Sequence, residues 1–371
     1  MYYFNQQNRQ SLTQYLPGTA ILLSLLWKVT SIYNFLPYIY LQLILDSILI
    51  ACFYSLFKNH HPRIILVTTL FMVFNFIVIN KSVLIMGYDY WPNFCILINF
   101  VGFGYYLKKK NNQILLSTGL LTSITIWFRS ITTFFPFVMA LAVIYYYKKE
   151  NSLNIKNLRT ITIYYLIPVI ISISILSIYR LNQTGNARPT RSTFWHTFMS
   201  GVGQFSNPYG LIANDNAIRE YFYTTHPNLK EYSYLELHDS PNSVYEKTLK
   251  QEASNLIYNH PHLIIRNTFY RMAIMASPLL YNDWGAMPKG FKNISFPLGI
   301  VFLFLWFNGI IYIYKNDRIL FILSLVVYIY FFALFSWFYI VARLIYTFLF
   351  ISLLIYLYGL KKLLIDVKRI E

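Results

Sequence analysis

Most side chains in this sequence with chemical potential stand near the ends of long apolar runs. Asp89 lies in the turn Met86-Gly87-Tyr88-Asp89-Tyr90-Trp91. A carboxylate there can orient or deprotonate an attacking group or balance a cation, and it can equally cap a helix that begins near Trp91. Arg343 and Arg129 stand at similar boundaries. A guanidinium at that level can clamp a phosphate through two parallel hydrogen bonds, or snorkel to ordinary lipid head groups. The densest polar–aromatic stretch runs from Arg188 to Gly210 and contains Arg191, Trp195, His196, Gln204, Asn207 and Tyr209. Rings of this kind stack on sugars, the polar side chains bond hydroxyls or phosphate, and Gly201 and Gly203 let backbone come close to a ligand. The same residues can also form a packed loop over the mouth of a membrane protein.

Two further groups are weaker candidates. Asp46 sits well inside an apolar run, where charge is costly, so a hydrogen bond to a neighbouring helix is expected rather than catalysis. His226, His238, His260 and His262, with Asp239 and Glu252, offer no pair with ligand spacing on one helix face. No metal site is expected from them.

The elements that must position these residues are membrane helices. Of 371 residues, 56% are hydrophobic and only 12% charged, with mean hydropathy +0.44. Soluble domains carry roughly 25% charged residues, so a soluble enzyme is not expected. Runs of about 20 apolar residues mark spanning helices. They occur at Leu36–Phe57, Ile64–Asn80, Trp91–Leu107, Ile114–Arg129, Ile131–Tyr147, Thr160–Tyr179, Asn293–Tyr314, Ile319–Trp337 and Leu344–Leu360. The fourth and fifth are almost contiguous and predict a tight helical hairpin with Pro136 just inside its second arm. The fold class is therefore all-α, a polytopic membrane protein of about nine spans.

The net charge of +17 follows from the loops and does not call for nucleic acid. Alternate loops carry Lys58, Arg63, Lys108, Lys109, Lys110, Lys148, Lys149, Lys156, Arg159, Lys315, Arg318, Lys361, Lys362, Lys368 and Arg369. The short loops of the other face carry only Lys81, Arg129 and Arg343. The positive-inside rule makes the first set cytoplasmic. Residues 180–292 then form an extracytoplasmic domain, between an N-terminal bundle at 36–179 and a C-terminal bundle at 293–371 with a cytoplasmic tail. Within the domain, Arg180–Tyr209 reads as loop. Ala213–Tyr223 and Ser243–Tyr258 have helical spacing, and Pro261 starts a helix running through Leu263, Ile264, Phe269 and Met272. Residues 1–35 fall outside by parity, and the apolar piece Ile21–Thr30 is too short to cross, which predicts an interfacial or re-entrant helix. That parity leads us to expect a further helix and loop ahead of Met1.

Three stretches resemble the GT-C superfamily of polyprenyl-phosphate-sugar-dependent glycosyltransferases, in the bacterial mannosyltransferase and aminoarabinose-transferase branch. Tyr15-Leu16-Pro17-Gly18, with the apolar run to Lys28, is similar to the family's Pro-Pro-Gly stretch after its first external loop. Gly119 to Ser130, ending Trp127-Phe128-Arg129, is similar to a Gly-led helix that closes on Thr-Arg. Ala342-Arg343-Leu344-Ile345-Tyr346 is similar to the family's Arg-Tyr-led late helix. The order and spacing agree over most of residues 12–360. The resemblance implies sugar transfer from a polyprenyl-phosphate carrier to an envelope glycan, lipid or protein at the outer face of a bacterial inner membrane.

It further implies Asp89 as the catalytic carboxylate, Arg343 and Arg129 on the donor phosphate, and the Arg188–Gly210 residues around sugar or acceptor. No tightly bound cofactor or divalent metal is implied. The family's leading acidic loop would precede Met1, which bears on whether this polypeptide is active. An O-antigen-type polymerase, a transporter or flippase, and a non-catalytic assembly subunit remain as alternatives.

Overall fold

The structure is a computed structural model that describes residues 17–59, 61–83, 90–184, 187–190, 194–230, 244–280, 289–337 and 349–367, without the side chains of 75–83, 183–184, 289–293 and 336–337. Asp89, Arg191 and Arg343 lie outside the described residues, so their expected roles are carried by sequence alone. Every described regular element is helical, and five helical stretches are long and apolar enough to cross a bilayer: Leu36–Phe57, Ser130–Lys149, Ile155–Asn182, Ile294–Asn316 and Arg318–Phe335. These correspond to five of the runs read from sequence. The chain divides into two compact units.

The larger unit takes in residues 17–173, 276–330 and 342–371. Its helices are α1 (Gly18–Thr30), α2 (Leu36–Phe57), α3 (Pro62–Val83), α4 (Tyr90–Lys109), α5 (Asn112–Ile126), α6 (Phe135–Lys149) and α7 (Ile155–Ile161). A π turn at Thr162–Leu166 joins α7 to α8 (Ile167–Thr184). The two runs form α5 and α6, with a short 3₁₀ turn at Ser130–Thr132 between them and Pro136 in the first turn of α6, where its missing N–H costs nothing. The two helices do not pack along each other as a tight hairpin, and each meets the Thr162–Leu166 segment instead. Helix α4 is buried on almost all sides from Tyr90 to Leu107, which makes it the central post of the unit. Around it, Asn99 Nδ2 donates to Thr122 Oγ1 at 2.9 Å, and the Tyr165 hydroxyl donates to Asn99 Oδ1. Such side-chain bonds between helices fix the register where apolar packing alone does not discriminate.

The basic loop ends meet at one end of this unit. Lys108 Nζ donates to the Leu56 carbonyl at 2.6 Å, and Lys110 Nζ to the Tyr147 hydroxyl at 3.0 Å. Arg318 pairs with Glu150 at 2.7 Å, and Lys361 Nζ lies 2.7 Å from His61 Nδ1. The late helices, α13 (Lys289–Asn316) and α15 (Leu349–Val367), cross very closely there. A Cβ on Gly309 would strike the Ile355 carbonyl, and one on Gly359 the Leu305 carbonyl, so only glycine lets these backbones touch.

The smaller unit includes residues 174–275 and 331–341. It contains α9 (Phe194–Val202), α10 (Asp215–Thr225), α11 (Val244–Asn259) and α12 (Pro261–Ala276), and part of α14 (Arg318–Trp337). Phe198, Met199, Val202, Ile218, Phe222, Tyr245, Leu249, Ala253 and Leu256 form its core. One sequence expectation needs correction here. Arg180–Tyr209 is not all loop, because Arg180 belongs to α8 and Phe194–Val202 is a helix. The nine residues of α9 are too few to signal a helix by themselves, and the cap that starts it comes from α11. The helix expected from Pro261 forms as α12, with Leu263, Asn267, Arg271, Ile274 and Met275 buried and Phe269 exposed.

Candidate functional site

Two groups of candidate residues are described, one in each unit. In the larger unit, the Pro17-Gly18 and Trp127-Phe128-Arg129 segments come together. The Gly18 N–H donates to the Trp127 carbonyl at 2.9 Å, and a Cβ on Gly18 would lie 2.6 Å from that oxygen. Glycine is required at this contact because any side chain would force α1 off the end of α5. Trp127 Nε1 donates to Ser172 Oγ at 2.9 Å, which fixes the segment from its other side.

Phe128 stacks on Trp91 with ring centroids 3.8 Å apart, and Trp91 Nε1 donates to the Tyr38 hydroxyl at 2.8 Å. One residue earlier, the Tyr90 hydroxyl donates to Asp46 Oδ1 at 3.0 Å. The interhelical hydrogen bond expected of Asp46 is therefore present, and it anchors the residue that follows Asp89. Arg129 is half-buried in extended backbone, and its carbonyl accepts from Thr132 as the 3₁₀ turn begins. Thr19 Oγ1, Gln42 Nε2 and Thr133 Oγ1 are buried in this region with no hydrogen-bond partner.

In the smaller unit, α11 holds the N-terminus of α9. Glu246 Oε2 accepts from the Trp195 N–H at 2.9 Å and Oε1 from the His196 N–H at 3.3 Å. A carboxylate at this position satisfies two orphan donors and faces the positive end of the helix dipole. The His196 ring bridges two elements, with Nδ1 2.7 Å from the Tyr245 hydroxyl and Nε2 3.2 Å from Asp215 Oδ1. Trp195 packs on the core, as does Tyr209, whose ring also meets His260 edge-on. Asn207 folds the loop around itself, accepting from the Tyr209 and Leu211 N–H groups and donating to the Phe205 and Leu211 carbonyls. Gly210 follows with φ of 66°, which suits glycine.

Gln204 is buried, and its Oε1 accepts from Arg271 Nε at 3.2 Å. Arg188 is exposed. Of the polar–aromatic candidates, His196, Gln204 and Asn207 are thus engaged within the unit. His226 Nε2 and Glu252 Oε1 lie 2.6 Å apart, and no group of three or more potential metal ligands gathers among the described residues.

Sequence reasoning missed Glu246, Asn267 and Arg271. The signal for the last two was present, since Leu263, Asn267 and Arg271 fall at successive four-residue steps on one helix face. Comparison of the chain with protein-family models, curated proteins and solved structures finds no match in any of the three.

Proposed function

We propose that this protein is a membrane glycosyltransferase of GT-C type, taking sugar from a polyprenyl-phosphate carrier to an acceptor at the extracytoplasmic surface. The observation that supports the reading best is the Gly18–Trp127 contact. It joins two of the three stretches on which the family resemblance rests, beside the Tyr90-Trp91 pair that follows Asp89. The smaller unit also suits the reading. It is a helical insertion with its own core between the apolar stretches Ile155–Asn182 and Ile294–Asn316.

In the proposed reaction, an acceptor hydroxyl or amine gives its proton to Asp89 and forms a bond to the anomeric carbon. The bond from that carbon to the phosphate oxygen breaks, and polyprenyl phosphate leaves with the electron pair. Arg343 and Arg129 stabilise the charge that develops on the leaving phosphate. Arg188, Arg191 and the loop to Gly210 help enclose the sugar. The lysine-rich end of the larger unit is cytoplasmic, and the remaining four apolar runs complete nine spans.

The test is a transfer assay in membranes with labelled polyprenyl-phosphate sugar, comparing wild type with Asp89→Asn and Arg343→Ala. The reading requires transfer to fall by about 100-fold or more in Asp89→Asn, the scale of one general base. Undiminished transfer in both variants removes these residues from the mechanism, and absence of transfer by wild-type protein removes the reaction.

A further inference from the structure

Where α3 meets α15, a lysine is held against a histidine. Lys361 Nζ lies 2.7 Å from His61 Nδ1 and 3.4 Å from Nε2. His61 stands just ahead of α3, and its carbonyl accepts from the Ile65 N–H at 3.0 Å, so its backbone is fixed to the first turn of that helix. Lys361 lies in the last third of α15, which packs against α3. An ammonium group has protons to give and no lone pair to offer. The ring nitrogen it meets must therefore be bare, and the contact as built requires a neutral imidazole.

The surroundings sharpen that requirement. The His61 ring meets Tyr358 of α15 edge-on with centroids 5.2 Å apart and lies 6.1 Å from the ring of Tyr312 on α13, over which Lys361 Nζ also sits at 5.5 Å. Tyr358 is buried, and His61 and Lys361 are half-buried, so water screens the pair only in part. Lys362 Nζ is bonded to Asn308 Oδ1 at 2.6 Å, and Lys58 and Arg63, which flank His61 in the chain, are exposed. The acidic group of this corner is Asp317, after α13, whose charge acts on Tyr358. Four basic side chains against one carboxylate leave the corner positive before His61 gains a proton. The histidines of the smaller unit are placed differently. His196 Nε2 meets Asp215 and His226 Nε2 meets Glu252, contacts that a proton on the ring strengthens. The same proton on His61 breaks its contact.

We infer that His61 and Lys361 form a pH-sensitive latch, which holds α15 against the start of α3 while the imidazole is neutral and releases it on protonation. The sign follows from counting protons. The closed latch has no room for a proton on the nitrogen facing Lys361, and the open one takes it up, so acid favours opening. A free imidazole titrates at about 6.5; the latch is fully held above that pH and is lost progressively below it. Between pH values of about 7.5 and 5.5, the ratio of open to closed is therefore expected to rise about tenfold. The latch uses residues of the lysine-rich end alone and does not rest on the transfer reading.

The test uses the purified full chain in detergent micelles, with Cys52 and Cys95 replaced by serine and Ile65→Cys as reporter. Ile65 is fully buried in the first turn of α3, so its thiol is reached when the latch opens. Labelling by a methanethiosulfonate is followed at the two pH values, and each rate is divided by that of the denatured protein at the same pH, which cancels the ionisation of the thiol itself. In the otherwise wild-type chain the corrected rate is expected to rise about tenfold on acidification. His61→Gln keeps a neutral acceptor at every pH, and Lys361→Met removes the cation at similar length. Each is expected to give a corrected rate that changes less than twofold between the two pH values, whatever its level.

A wild-type rate that changes less than twofold overturns the latch. So does a tenfold rise that survives in His61→Gln, since the titrating group is then another one. A rise that survives in Lys361→Met shows that His61 acts without the lysine and overturns the pair. A role that is structural alone alters the level of labelling in these variants and leaves the wild-type rate flat with pH.

Discussion

Removing the Glu246 carboxylate is expected to release α9 from the rest of its unit. The nine residues of α9 are too few to hold a helix in water, so the element depends on what anchors its ends. At the N-terminus, Glu246 accepts from the Trp195 N–H at 2.9 Å and the His196 N–H at 3.3 Å. A hydrogen bond to a charged group contributes about 1.5–3 kcal/mol, and the longer of the two counts at the low end. With some of that recovered by water, Glu246→Ala is expected to cost α9 about 2–4 kcal/mol, or roughly 30- to 1,000-fold in its opening equilibrium. Glu246→Gln keeps one acceptor and loses the charge, so roughly half of that effect is expected. Hydrogen exchange in micelles reads this directly at the amides of Trp195 to Phe198, with the core of α4 as an internal reference. Exchange in Glu246→Ala within threefold of wild type, at those amides alone, would refute the reasoning, because the cap would then contribute nothing.

Gly309→Leu and Gly359→Leu are each expected to part α13 from α15 and to lower the thermal midpoint in micelles. Each overpacked backbone contact costs about 1–3 kcal/mol or more, whereas Gly210→Asn, where φ is positive and space is open, leaves the midpoint nearly unchanged. Tyr90→Phe strips the buried Asp46 of its donor at a cost of about 1–3 kcal/mol, read in the same melts, and the double variant with Asp46→Leu should recover most of it. Gly18→Val is expected to detach α1 from Trp127, and a tryptophan fluorescence change with increased protease cleavage after residue 30 checks this.

Five of the apolar runs and an interhelical hydrogen bond of Asp46 could be read from the sequence because each depends on local periodicity or on the cost of charge in an apolar run, whereas the helix that supplies the bond and the packing of α5 and α6 could not. Helix α9 could not, since its first turn is completed by Glu246, about fifty positions further along the chain. Asn267 and Arg271 of α12 were passed over because they lie in one helix with apolar residues, Leu263, Ile274 and Met275, that are buried with them. In the polar cluster from Arg188 to Gly210, residue types alone do not separate a side chain that awaits a ligand from one that holds a turn. Asn207, with four backbone bonds, is of the second kind.

The most direct measurement of the account is single-cysteine labelling in intact cells and in inverted vesicles, after Cys52 and Cys95 are replaced by serine. Asp89→Cys, Thr224→Cys and Arg343→Cys are predicted to react with a membrane-impermeant maleimide from outside, and Lys109→Cys and Asn151→Cys only in inverted vesicles. Labelling of Thr224→Cys from the same side as Lys109→Cys, or of Asp89→Cys and Arg343→Cys from opposite sides, would contradict it.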